Sequence, residues 1–263
     1  MKTILFFFIL IVISTVIIYF YFFKNIYTIL KIVTIDTKKK EITHILNTIL
    51  NDNNWDIAYL QQVKFKAEDY GNNIGVIVPF NIKTYWGYFI TNDIIENGFL
   101  HSTAIVFKRS FNIKVENYYS IKLPLAIGDD NYPRNALILE ILLDKTKIDL
   151  VNFHMSYGIK KYESEDNINF VINYLKNNKN KNTILGGNFN TKYILIKDLI
   201  KDLNINYKIL DSDFVKVYDD IPFSIEYFIT NMNIEYNTPH IKTNYARPEL
   251  KIKVKNTKLY NMY

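Results

Sequence analysis

The chain has 263 residues, 49% of them hydrophobic and 22% charged, which is too apolar for a disordered segment and long enough for one sizeable core. Its net charge of +6 favours polyanionic partners such as nucleic acid or anionic lipid, and says nothing about fold. It has no cysteine, which excludes disulfides and thiolate metal sites.

Ile4 to Phe23, ILFFFILIVISTVIIYFYFF, is an uncharged run of the length a bilayer core requires of a helix. It ends in aromatic residues and Lys24, with no small-residue cleavage pattern, so residues 1–26 are expected to form an uncleaved single-pass transmembrane anchor. Lys24, Lys31, Lys38, Lys39 and Lys40 follow the run and only Lys2 precedes it, which predicts a cytoplasmic C-terminal domain. No Asn-x-Ser/Thr sequon is present, in keeping with that side.

Residues 27–263 contain no linker or repeat and read as one domain. Tyr27–Ile35 is expected to be a strand. Lys39–Leu50 has helical spacing, with Ile42, Ile45, Leu46 and Ile49 on one face. Strands are expected at Trp55–Leu60, Ile74–Pro79, Tyr85–Thr91, Ser102–Lys108 and Ile113–Tyr119. Ala136–Leu143 and Lys147–Phe153 flank DKTK as a hairpin. Amphipathic helices are predicted at Glu163–Asn177 and Tyr193–Leu203. Between them lies TILGGNFNT, Thr183 to Thr191, read as a buried strand followed by a tight Gly186-Gly187 turn. Short strands are expected at Phe214–Tyr218, Ser224–Thr230, Met232–Tyr236 and Leu250–Val254. The last, KIKVK, reads as an edge strand with a solvated lysine face, or as an electrostatic surface for phosphate. Strands in meandering pairs with a few helices between them predict an α/β (α+β) sandwich of two packed sheets covered by helices. No Walker loop, GxGxxG, HExxH or GxSxG is present.

The strings LKIVTIDT, DIAYLQQV, HSTAIVFK, YPRNALILEI, LVNFHM, ILGGNFNT, SIEYFIT and YARPELKI occur in that order from about Leu30 to Val254. Together they resemble the motifs of the endonuclease/exonuclease/phosphatase superfamily, the group of DNase I, abasic-site endonucleases and neutral sphingomyelinases. The resemblance implies a DNase I-like four-layer sandwich and hydrolysis of phosphate esters with Mg²⁺. It puts Asp36 where the family has an Asn metal ligand, and Gln62 where it has a metal-binding Glu. It puts Asn188 at the water-activating Asp, Glu226 at a further Asp, and Tyr245-Ala246 at the terminal Asp-His pair. His154, Asn190 and Arg134 match the family's own residues.

An amide at Asn188 has no basic pKa and cannot take a proton from water. Gln62 can offer oxygen to a cation but no charge, and Ala246 offers nothing. The resemblance therefore implies a fold retained with its chemistry reduced: a membrane-anchored pseudoenzyme that binds a phosphate-bearing ligand, nucleic acid or lipid headgroup, or a protein partner. The alternatives are a rearranged Mg²⁺-dependent phosphodiesterase using His154, Asn190, Glu226 and Asp36, and a pure interaction scaffold. Structural roles stand beside the functional ones. His154 could be a satisfied polar residue, Asn190 a turn residue and Arg134 a loop brace, while His44, His101 and His240 have no motif support.

Overall fold

A computed structural model describes residues 9–16, 27–51, 55–71, 74–94, 98–109, 113–124, 134–155, 165–202, 206–211, 216–218, 221–223, 226–232, 234–236 and 249–255. Of the N-terminal apolar run, residues 9–16 form a helix (α1) whose side chains are exposed, and the rest lies outside the described residues. Among the described residues no helix is long and apolar enough to cross a membrane.

Two sheets make the body. The first has the order β14-β15-β1-β2-β5-β4-β3, formed by β1 (Tyr27–Asp36), β2 (Ile57–Lys66), β3 (Ile77–Ile82), β4 (Tyr85–Ile94), β5 (Phe99–Lys108), β14 (Ile234–Tyr236) and β15 (Glu249–Lys255). The second has the order β10-β13-β9-β8-β7-β6, formed by β6 (Lys114–Lys122), β7 (Asn135–Leu143), β8 (Thr146–His154), β9 (Thr183–Asn188), β10 (Lys208–Asp211) and β13 (Glu226–Thr230). A separate ribbon pairs β11 (Lys216–Tyr218) with β12 (Ile221–Phe223). The strands β10 and β12 were not anticipated from the sequence.

Parallel neighbours need a crossover, and each sheet has one. β1 reaches β2 through α2 (Ile42–His44), which continues as a π-helical turn over Ile45–Ile49. β8 reaches β9 through α4 (Glu165–Asn177). The remaining helices are the single turn α3 (Ala67–Tyr70) and α5 (Tyr193–Asp202).

The period-two alternation of the strands sorts the apolar residues into three layers. Leu30, Ile32, Tyr59, Ile105, Leu139, Leu150, Ile184 and Phe228 fill the space between the sheets. Val33, Ile35, Ala58 and Phe89 pack under the α2 segment with Ile42, Ile45, Leu46 and Ile49, the face predicted from spacing. Val151, Phe153, Leu185 and Tyr227 pack under α4 and α5 with Val171, Leu175 and Ile196. The layering is helix, sheet, sheet, helix, as expected.

Three local expectations are corrected. Gly186 and Gly187 do not turn; both lie within β9. Gly186 is required because a Cβ there would come within 2.5 Å of the Phe228 ring and 2.8 Å of Tyr59. Gly187 has φ +133°, a conformation L side chains rarely adopt. KIKVK is no edge strand: β15 lies between β14 and β1, and Ile252 and Val254 point into the inter-sheet core. The hairpin turn is tighter than DKTK, using only Asp144 and Lys145 with φ 47° and 69°, the left-handed pair that matches strand twist.

Candidate active site

The two crossovers bring the carboxyl ends of β1, β2, β8 and β9 to one end of the sandwich. A buried amide network ties the sheets together there. Asn152 of β8 donates from Nδ2 to the backbone oxygens of Leu60 (3.1 Å) and Ala104 (2.7 Å) in the first sheet. Its Oδ1 accepts from Gln61 Nε2 at 2.7 Å, and the same Nε2 donates to Thr34 Oγ1 at 3.0 Å. Gln61 Oε1 is buried with no hydrogen-bond partner among the described residues. This layer is the floor of the site. Gln61 and Asn152 were not selected from the sequence, although both stand inside the strings DIAYLQQV and LVNFHM; two uncharged amides in otherwise apolar buried strands were the available clue.

One step above the floor, Asp36, His154 and Asn188 end their strands. His154 and Asn188 are paired in the parallel β8–β9 register, and Glu226 pairs with Asn188 on the other side. Asn188 is buried and bonded at both ends of its amide: Nδ2 donates to Asp36 Oδ2 at 3.2 Å, and Oδ1 accepts from the Asn190 backbone N–H at 3.0 Å. The other Asp36 oxygen accepts from the Lys38 N–H at 3.1 Å. Asn190 sits at φ 43°, in the left-handed region, and its Nδ2 donates to Met155 O at 2.6 Å. Its described role is to hold the turn after β9 against the end of β8.

Arg134 does bracing work of the same kind. Its Nη1 donates to Met155 O at 3.1 Å and lies 3.0 Å from His154 Nδ1. A guanidinium has no acceptor, so Nδ1 must accept. In this contact Nδ1 of His154 is engaged with the guanidinium.

Gln62 follows through a β-bulge between Leu60 and Val63, at φ 54°. The Thr37 hydroxyl donates to its carbonyl at 3.0 Å, pinning the end of β1 to the bulge. The turn beyond Asp36 carries Lys38 and Lys39 at φ 49° and 61°, and Lys38, Lys39 and Lys40 are all exposed. Asp36, His154, Asn188, Asn190 and Arg134 are thus brought together, with Gln62 next to them. Glu226 is placed by its backbone; its side chain, Tyr245, Ala246 and His240 lie outside the described residues. His101 lies on β5 opposite Lys64, and His44 is exposed on α2; neither is tied to this network by a described contact.

The donor set fits a divalent cation poorly. Magnesium is held by carboxylate oxygens with substrate and water. Here Asp36 is the one carboxylate described, both its oxygens already accept N–H bonds, and positions 62 and 188 are uncharged amides. Among the described residues no three His, Asp or Glu side chains gather as a metal site. The arrangement can donate hydrogen bonds to an anion, but it presents no described group that could deprotonate water from the β9 side.

No family model matches the chain, and no curated protein matches it. Solved structures do. An endonuclease/exonuclease/phosphatase family protein from Leptotrichia buccalis is similar at 15% identity with a TM-score of 0.56, over 86% of this chain and 100% of that one. The human Nocturnin catalytic domain with bound sulfate is similar at 12% identity with a TM-score of 0.55, over 86% and 96%. D. rerio TDP2 complexed with a single-strand DNA product is similar at 11% identity with a TM-score of 0.53, over 85% and 98%.

Proposed function

We propose that this chain, which has the fold of the endonuclease/exonuclease/phosphatase superfamily, binds a phosphate-bearing ligand at the Asp36–His154–Asn188 end of its sandwich and hydrolyses it slowly or not at all. One observation carries the reading: the side chain of Asn188, which donates to Asp36 and accepts from Asn190, is an amide where the family's chemistry calls for a carboxylate that takes a proton. Removing a general base commonly costs about 10²- to 10⁴-fold in rate. The groups that remain suit anion binding. Arg134 stands beside His154, and three consecutive exposed lysines, Lys38 to Lys40, lie at the mouth. The sulfate on Nocturnin and the DNA on TDP2 supply the kind of ligand.

A second reading has its own observation. Asp36 lies within hydrogen-bond reach of Asn188, so a carboxylate faces the Asn188 position from the other sheet. A rearranged metal-dependent phosphodiesterase would use Asp36 with Glu226 and His154. We further propose that residues 4–23 anchor the chain in a membrane as a single span, with the folded domain on the cytoplasmic side, because the lysines cluster after the run.

The full-length chain in detergent should release no p-nitrophenol from bis(p-nitrophenyl) phosphate with Mg²⁺ or Mn²⁺, yet bind a single-stranded oligonucleotide or inorganic phosphate. Metal-dependent turnover that disappears in Glu226→Ala or His154→Ala overturns the first reading in favour of the second. No binding of either probe leaves the scaffold reading. Protease protection of the chain in sealed vesicles checks the anchor and its orientation.

A further inference from the structure

The opposite end of the first sheet holds a second recess. In the β2–β5 register, Leu60 pairs with Ala104 near the site already described, and Ile57 pairs with Phe107 at the far end. Beyond Phe107, a cleft of about 520 Å³ opens between the α2 segment, the β3–β4 turn and the end of β5. That volume is in the range of small-molecule sites.

Its lining has a definite chemistry. Lys108 and Arg109 supply two cations, Asn47 and Asn51 two amides, and Tyr85 an aromatic ring, and among the described residues no carboxylate lines it. The aromatic wall is held firmly: Tyr85 stacks on the buried Trp55 with ring centroids 5.6 Å apart and planes 12° from parallel. The Lys108 ammonium lies 4.8 Å from the centroid of the same Trp55 ring. Arg109 is positioned by its backbone N–H on Thr84 O at 2.9 Å and by a long 3.4 Å bond from Nη2 to Asn81 Oδ1.

Two features that could oppose an anion here are already occupied. Asp56, next in sequence to Trp55, accepts the Lys31 N–H of β1 at 2.8 Å and also attracts the Lys108 ammonium, so it offsets part of that cation's charge. The carbonyl of Leu50, at the negative end of the helical segment, accepts the Trp55 indole N–H at 2.9 Å.

The helical segment is also irregular at this point. Leu50 N donates to Ile45 O at 3.0 Å, a bond spanning five residues. Such π turns are rare and concentrate at functional sites. This one carries Leu46 and Asn47 into the lining.

We propose that this cleft is a binding site for an anion joined to a planar ring, a mononucleotide in size, separate from the pocket at the other end of the sheet. Lys108 and Arg109 hold the phosphate, Tyr85 stacks the ring, and the Asn47 and Asn51 amides meet its edge. The inference is independent of the proposed function.

The test uses the full-length chain carrying Trp86→Phe. This leaves Trp55, one of two tryptophans in the sequence, as the fluorescent reporter beside the cleft. AMP should change its emission saturably, and inorganic phosphate should bind more weakly. Arg109→Met and Lys108→Met should each weaken AMP at least about tenfold. Tyr85→Leu should weaken AMP but not phosphate. Asn190→Ala, at the far pocket, should leave the AMP titration unchanged. Loss of AMP binding in Asn190→Ala with no effect of Arg109→Met would place the ligand at the other end and overturn the proposal. No saturable response to AMP or phosphate at about 10 mM, in a protein whose circular dichroism is unchanged, overturns it as well.

Discussion

Asn188 donates its side-chain N–H to the Asp36 carboxylate across 3.2 Å, joining the end of the central strand of the second sheet to the end of a strand of the first. The bond is a cross-sheet clasp and also a statement about charge. The pocket keeps one carboxylate beside one amide, and the amide is the group on β9. Asn188→Asp would put two carboxylates at hydrogen-bond distance with no proton between them. Its expected cost is about 1–3 kcal/mol at pH 8, the usual penalty for breaking a buried polar contact. Urea denaturation should show the loss shrinking on acidification or on adding 10 mM Mg²⁺, since either relieves the repulsion. A variant as stable as the parent in metal-free buffer at pH 8 would show that the clasp contributes nothing.

Restoring the family's groups together is the stronger test of the alignment. Gln62→Glu, Asn188→Asp and Ala246→His in one chain should gain metal-dependent cleavage of bis(p-nitrophenyl) phosphate, by about 10² or more over the parent. A folded but inert triple variant would mean that these positions do not converge as the sequence order implies.

The lysines at the mouth give a salt prediction. Each cation that contacts a phosphate of a single strand contributes about 0.7 to the slope of log affinity against log salt. Lys38→Ala, Lys39→Ala and Lys40→Ala combined should lower oligonucleotide affinity and reduce that slope by up to about 2. An unchanged slope would remove these exposed residues from the binding surface.

The floor of the site should be costly to disturb. Asn152→Leu would strand the carbonyls of Leu60 and Ala104 and the amide of Gln61, three buried partners at once. At about 1–3 kcal/mol for an unsatisfied group, chemical denaturation should report a loss of about 3 kcal/mol or more. Gly186→Ala should cost about 1–3 kcal/mol by overpacking against Phe228 and Tyr59.

At the amino end of β8, burial pushes the Asp149 carboxyl up from its ordinary 3.8, against the opposing pull of Lys181, whose ammonium is 3.1 Å away. The folded state therefore holds this proton more tightly than the unfolded chain. The residue's contribution to stability falls as pH rises from 3.8 through the higher folded value. Asp149→Asn should melt like the parent near pH 3, gain on it as pH rises through the folded value of Asp149, and hold that lead above it. A gap that moves the other way would mean that the Lys181 attraction outweighs burial.

What the sequence determined by itself were the properties set by period and local chemistry. Alternation in VTID, AYLQ and LVNFH set which residues face the opposite sheet, and the Ile42, Ile45, Leu46, Ile49 spacing set the buried face of the α2 segment. The ordered short strings carried the fold, because they mark strand ends whose neighbours are set by crossovers. Tertiary structure alone decided the rest. It placed KIKVK inside a sheet, since pairing with both β14 and β1 depends on residues about 15 and 220 positions away. It turned Gly186 from a supposed turn residue into a seat for two aromatic rings from other strands. It also gave Asn188 its partner. An amide 152 positions from Asp36 carries no mark of that contact, because a hydrogen bond between sheets exists only once both cores have packed and brought the strand ends to the same level.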